Sequence, residues 1–372
     1  RTMVEAVAMR TTGLGGDSEV HLIDGLETGL RLGPRRLMPV ALAARDFPEL
    51  VHQALDQWLT FDTPGEHDGR FALPMWHGGP PPGLSPREQT VAGRLLAGPQ
   101  RLSDAARTRL EIPALMKLVS RGAVMISGVT PSDASHVLGR LDSWDAAAAE
   151  KAVTLFARRR NGRGDRIART APDLAARIVA QLEQQTMDCL LEAAFDEDAY
   201  DWGQETSERL ARHPLTQAGL AQHQGIVRTS LSLGVPVIGL GASAPNYYAP
   251  LGARLGTRMI LPVHAGVANA IGAVVGQVSM SATGIVTAPG PGIFAAHLSD
   301  GPKRFPSQEA ALEALETALR AEASERAGAA GVEEIRLTAE RDITQVEVEG
   351  QPMFIEARLR ITAQGRPRIA VG

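Results

Sequence analysis

The chain has 372 residues, 38 of them glycine, with aromatic residues at 4% and a formal net charge of −4 at pH 7. A chain of this length can bury a core large enough for two domains, and charge of mixed sign along it leaves no basic face for nucleic acid. The single cysteine, Cys189, has no intrachain disulfide partner and no Cys-x-x-Cys pair is present to hold zinc, which suits a reducing cytoplasm; no apolar window is long enough to span a membrane.

Abundant glycine with few aromatics suits close packing of helices on sheet, so an α/β fold is expected. The chain opens on apolar residues (Met3, Val4, Ala6, Val7) with Arg1 in place of Met, which reads as a piece of a longer polypeptide. Residues 19–34 read as a hairpin: Glu19 to Ile23, a turn at Asp24-Gly25, then Gly29 to Leu32 closing at Gly33-Pro34. Residues 46–60 are helical, with Leu50, Val51, Ala54, Leu55 and Trp58 on one side. Glycine and proline are dense from Phe61 to Pro86, which reads as a loop or junction.

Residues 86–212 carry mainly helical periodicity. Ser103 and Asp104 start one helix, Pro113 sits in the first turn of another, and Asp145 caps an alanine-rich helix running to Arg160. Arg158 to Arg160 place cations at the negative end of that helix. Cys189 falls in an apolar-periodic stretch and reads as a small core residue. Arg163-Gly164-Asp165 matches an adhesion tripeptide by chance. After Gly276 the pattern changes to strands at 278–286 and 292–298, a helix from Ser307 to Ala327 with Ser307 in a loose cap, and alternating segments at 335–339, 345–348 and 354–361. That is a small α+β unit, one sheet covered by one helix. No internal repeat is present.

Three segments carry residue types suited to chemistry. Val235 to Leu240 reads as a buried strand entering a turn with Gly239, Gly241 and Ala242, where the lack of Cβ atoms lets main chain face a flat base or a phosphate; a tight turn explains the same glycines. Gly13, Gly15 and Gly16 with Asp17 and Ser18 form either an anion-binding nest, with Asp17 as a Mg²⁺ ligand, or an ordinary hairpin turn. Thr130-Pro131-Ser132-Asp133 is a helix cap first, with Asp133 as a further candidate for metal or substrate contact. Asn269 is a polar amide in a small-residue helix (266–276, expected to pack closely) and reads as an internal hydrogen-bonder or a ligand contact. The histidines show no metal-ligand spacing.

Four segments, Thr11 to Ser18, Leu32 to Arg36, Gly128 to Ala134 and Val235 to Gly276, resemble in order the C-terminal half of the hydantoinase A / 5-oxoprolinase family. The resemblance implies a partial actin-like (ribonuclease-H-like) nucleotide-binding domain with a helical insertion. Residues 1–85 would be its β-rich glycine-loop part, 86–215 the helical segment, 216–278 the nucleotide-side strand-turn-helix, and 279–372 the appended α+β domain. It also implies ATP and Mg²⁺ as cofactors and a small cyclic amide as substrate, activated by phosphorylation at its carbonyl. Asp17 and Asp133 are then the catalytic candidates. The alternative within the resemblance is a non-catalytic or substrate-activating subunit of an ATP-dependent ketone carboxylase-like complex, with a partner subunit or a homo-oligomer. The family's paired phosphate loops, Asp-x-Gly-Gly-Thr-x-Thr-Asp, are not in this sequence, and are expected upstream of Arg1.

Overall fold

The computed structural model describes residues 9–23, 29–275, 278–290, 292–298, 301–348 and 351–366. The apolar start at 3–7, the turn at Asp24-Gly25 and Gly276 lie outside the described residues. The chain is mixed α/β, and its contacts divide it into two units, Arg1–Gly266 and Val267–Gly372.

The first unit begins with the expected hairpin, β1 (Ser18–Leu22) pairing antiparallel with β2 (Leu30–Arg36). Then come β3 (Met38–Pro39), α1 (Val40–Asp46), α2 (Pro48–Leu59) and β4 (Phe71–Pro74). Helix α2 buries Val51, Ala54, Leu55 and Trp58, the three-and-four spacing of one helical face. Strand β4 corrects the expected loop at 61–86. Phe71-Ala72-Leu73 is too short an apolar run to stand out among glycines and prolines. Its burial is tertiary, because it sits between two other strands of the sheet.

Next are α3 (Pro86–Arg94), β5 (Gln100–Arg101), α4 (Leu102–Ala105), α5 (Ile112–Ser120), β6 (Val124–Gly128) and α6 (Pro131–Val137). The sheet order is β3-β6-β4-β5, with β3 parallel to β6 and the other pairs antiparallel. Pro113 lies in the first turn of α5, as expected, whereas α4 starts at Leu102 with no side-chain cap, so Ser103 and Asp104 do not start it.

Helix α7 (Ala146–Ala157) is capped by Asp145, which accepts from the Ala148 N–H at 2.9 Å, but it stops short of Arg160. The arginines beyond it do not cap their own helix. Arg158 donates to the carbonyls of Leu59 (2.7 Å) and Phe61 (2.8 Å), and Arg159 to those of Glu66 and Asp68 (3.3 Å each), so both clamp a neighbouring loop. Burial, and then the charge of Arg70, lowers the Arg159 guanidinium to a pKa of about 10.

The unit continues through α8 (Ala171–Glu197), where Cys189 is half-buried rather than in the core, then α9 (Ser207–Arg212), α10 (Pro214–Leu220), β7 (Val237–Ile238), α11 (Ala244–Tyr247), α12 (Leu251–Arg254) and β8 (Met259–Ile260).

The second unit holds α13 (Ala268–Val275), β9 (Val278–Gly290), β10 (Ile293–Leu298), β11 (Gly301–Phe305), α14 (Gln308–Ala329), β12 (Arg336–Val348) and β13 (Gln351–Gly365). Its antiparallel sheet runs β11-β10-β9-β13-β12. Helix α14, capped by Ser307 as expected, covers one face with Leu312, Leu315 and Leu319 against Val286, Ala357, Leu359 and Ile361. A Cβ on Gly284 would stand 2.7 Å from Leu315 Cδ1, so glycine there lets the helix lie close to β9. One sheet under one helix is the arrangement that the alternation along β13 predicts. Strand β11 was not legible, since Pro302, Lys303 and Arg304 show no alternation.

Candidate functional site

The glycine-rich turn at 13–18 is built inward. Gly15 donates its N–H to Ser18 Oγ at 2.8 Å, Ser18 N–H returns to the Gly15 carbonyl at 3.1 Å, and Ser18 is buried. Glycine is needed here for close approach by protein. A Cβ on Gly13 would stand 2.7 Å from the Pro34 carbonyl oxygen, and one on Gly16 would stand 2.8 Å from Ser132 Oγ and 3.4 Å from the Tyr247 ring. The Asp17 carboxylate, one third exposed, is 2.5 Å from Arg36 Nε.

Helix α6 is the hub beside this turn. Its capping box forms as the sequence predicts: Asp133 N–H donates to Thr130 Oγ1, and Asp133 Oδ2 accepts from the Thr130 N–H (2.9 Å) and hydroxyl (2.8 Å). Asp133 Oδ1 accepts from the Ala41 N–H at 2.8 Å, which ties α6 to α1. Both oxygens of this fully buried carboxylate are therefore engaged by protein. Burial pushes its pKa up, and the bonds from Ala41 and Thr130 oppose that. Ser132 N–H donates to the Gly16 carbonyl at 2.8 Å, and Ser135 Oγ donates to the Tyr247 hydroxyl at 3.0 Å. Burial raises the Tyr247 phenol.

At the second glycine segment β7 pairs parallel with β8, Val237 with Met259 and Ile238 with Ile260. The strand expected to be buried is not: Ile238 is 59% and Leu240 54% exposed. A parallel strand is buried when layers cover both faces, and here the described residues give β7 one neighbouring strand and leave the face of Ile238 and Leu240 open. Gly239 N–H donates to the Ile260 carbonyl at 2.9 Å, and a Cβ on Gly239 would meet Leu261 Cδ2 at 2.6 Å and Tyr248 Cδ2 at 3.1 Å. The space beside Gly239 is thus filled by side chains. Gly241 differs. Its φ of +113° demands glycine, a Cβ there would meet nothing, and Ala242 beside it is exposed.

Comparison with the models of known protein families, with curated proteins and with solved structures finds no match to this chain. The chemistry open to the site is set by its own residues. Asn269 lies in the other unit, on α13, and is exposed, so it is not an internal hydrogen-bonder. At Gly272, which is exposed, a Cβ would meet nothing, so close packing does not account for that glycine. Among the described residues no group of three His, Cys, Asp or Glu side chains could hold a metal ion, and no helix is long and apolar enough to cross a membrane.

Sequence reasoning missed Tyr247, Ser135 and the ion cluster under β1. Glu19, 1% exposed, accepts from Arg70 Nη2 at 2.6 Å and lies within 3.5 Å of Arg35 and His21. The available signal was a carboxylate between Ser18 and Val20 in a strand that buries all three.

Proposed function

We propose that this chain is part of an ATP-dependent hydrolase of cyclic amides of the hydantoin or 5-oxoproline type, on a partial actin-like nucleotide-binding fold. The observation that supports this reading is convergence. Four segments carry the resemblance, the first two flanking one hairpin and the other two far along the chain, and they meet: Gly13 on Pro34, Gly16 on Ser132, and Tyr247 on both Gly16 and Ser135.

A nucleotide fits the residues at Gly241 and Ala242, where bare, exposed main chain can lie against a purine or ribose. It does not fit beside Gly239, where Leu261 and Tyr248 fill the space. Mg²⁺ does not fit the residues present, since Asp17 is a single carboxylate held by Arg36 and no metal-binding group accompanies it among the described residues. ATP, when bound, supplies the phosphoryl group that makes a carbonyl oxygen a leaving group. The chain's own contribution in this reading is to orient the nucleoside, with α6 and Tyr247 holding the two glycine turns in register. Asp133 is assigned a structural role, because both its oxygens are already bonded.

The same engagement of Asp17 and Asp133 favours a second reading, a non-catalytic or substrate-activating subunit of an ATP-dependent ketone carboxylase-like complex. Calorimetric titration with ATP, with and without Mg²⁺, tests the shared core of both. Binding is expected for the wild type and a loss of at least about tenfold in affinity for Ala242→Leu, which crowds the open main chain. No binding, or equal binding by both proteins, overturns the nucleotide reading. Robust ATP hydrolysis by the chain alone would exclude the second reading.

A further inference from the structure

Six arginines and a single acid, Asp165, fall between residues 158 and 169, while six carboxylates and no lysine or arginine fall between 196 and 208. The two segments flank the 27-residue α8, the arginines ahead of its N-cap Thr170 and the carboxylates from its last turn onward. The helix macrodipole favours anions at the start and cations at the end; Asp173 meets the first condition, but α8 has no basic residue in its last turn, where the carboxylates gather instead. The acidic end therefore opposes the helix that carries it.

The acidic end also gathers aromatic surface in a chain that has little. Trp202 meets Phe195 at a centroid distance of 5.0 Å and Tyr200 at 4.7 Å, and Tyr200 and Trp202 are 66% and 41% exposed. Some of the surrounding acids are locally paired: Asp196 with Arg10, Glu205 with Arg209 and Glu208 with Arg212. Glu197, Asp198 and Asp201 have no cation partner among the described residues. At the basic end Asp62 pairs with Arg160 and Arg166, while Arg163 and Arg169 are exposed with no acidic partner among the described residues.

We propose that the aromatic, acidic end of α8 docks the arginine-rich 158–169 segment of a second copy of this chain, head to tail. Guanidinium groups stack on indole and phenol faces and pair with carboxylates at once, and lysine does this less well. A helix of this length holds its two ends about 40 Å apart, so one copy cannot close the contact on itself. Joining unlike surfaces makes the contact heterologous, giving a ring or an open chain of copies in place of a two-fold dimer.

Sedimentation of the full chain at low and at high salt tests this, because exposed charges more than a Debye length apart are screened. The wild type is expected to associate as concentration rises in about 50 mM salt, and at least about tenfold more weakly in about 500 mM. Two charge-reversed chains complete the test, one carrying Arg163→Glu and Arg169→Glu, the other Glu197→Lys and Asp201→Lys, each verified as folded by circular dichroism. Each is expected to stay monomeric alone, and an equimolar mixture to associate, since each then supplies the surface the other lacks. A wild type that stays monomeric at low salt, reversed chains that associate as the wild type does, or a mixture that fails to associate overturns the proposal.

Discussion

Tyr247 lies against Gly16, its ring edge and hydroxyl both 3.4 Å from where a Cβ would stand, while Ser132 Oγ comes within 2.8 Å of the same point. A residue of the C-terminal glycine segment thus closes over the N-terminal glycine turn, with α6 between them. The contact explains Gly16 by packing, with no ligand needed to account for it.

Gly16→Ala is therefore expected to destabilise the first unit by about 1–3 kcal/mol through overpacking. Ser132→Ala removes the nearest atom, so the double variant should be less destabilised than the sum of the two single ones. Urea unfolding of the four proteins gives the coupling directly, and strict additivity would show that the Gly16–Ser132 approach does not limit the site.

Glu111 offers a pH signature away from that site. Arg94 grips it in a two-pronged pair at 2.8 and 2.9 Å, and with further N–H bonds from Arg107 and Thr108 its pKa falls from 4.5 to about 2. A folded pKa below the unfolded one gives stability that is present above 4.5 and lost as pH falls through about 2. Thermal unfolding between these pH values should show a steeper loss for the wild type than for Glu111→Gln. Equal slopes would mean that the pair carries no net coupling.

The Arg158 clamp makes a prediction about local opening. Its guanidinium bonds the carbonyls of Leu59, the last residue of α2, and of Phe61 just past it. Arg158→Ala should leave those carbonyls to water and loosen the segment that follows, with little change in global unfolding. Limited proteolysis, read by mass spectrometry, is expected to cut between residues 60 and 69 several-fold faster in the variant. An unchanged cutting rate there would show that the loop is held by other contacts.

Local signals were legible wherever the cause is local. The caps by Thr130, Asp145 and Ser307, the proline in the first turn of α5, the helical face of α2 and the alternation along β13 follow from hydrogen bonding and periodicity within a few residues of chain. Features set by distant partners were not legible. Phe71 to Leu73 become a central strand only between β6 and β5, and the arginines after α7 turn away from their own helix because loop carbonyls lie nearby. The same division holds at the site. The sequence supplied glycines at 13, 16, 239 and 241, but glycine records only that a Cβ is not wanted. What approaches in its place is decided by folding: Pro34, Ser132 and Tyr247 at the first turn, Leu261 and Tyr248 at Gly239, and open space at Gly241 alone.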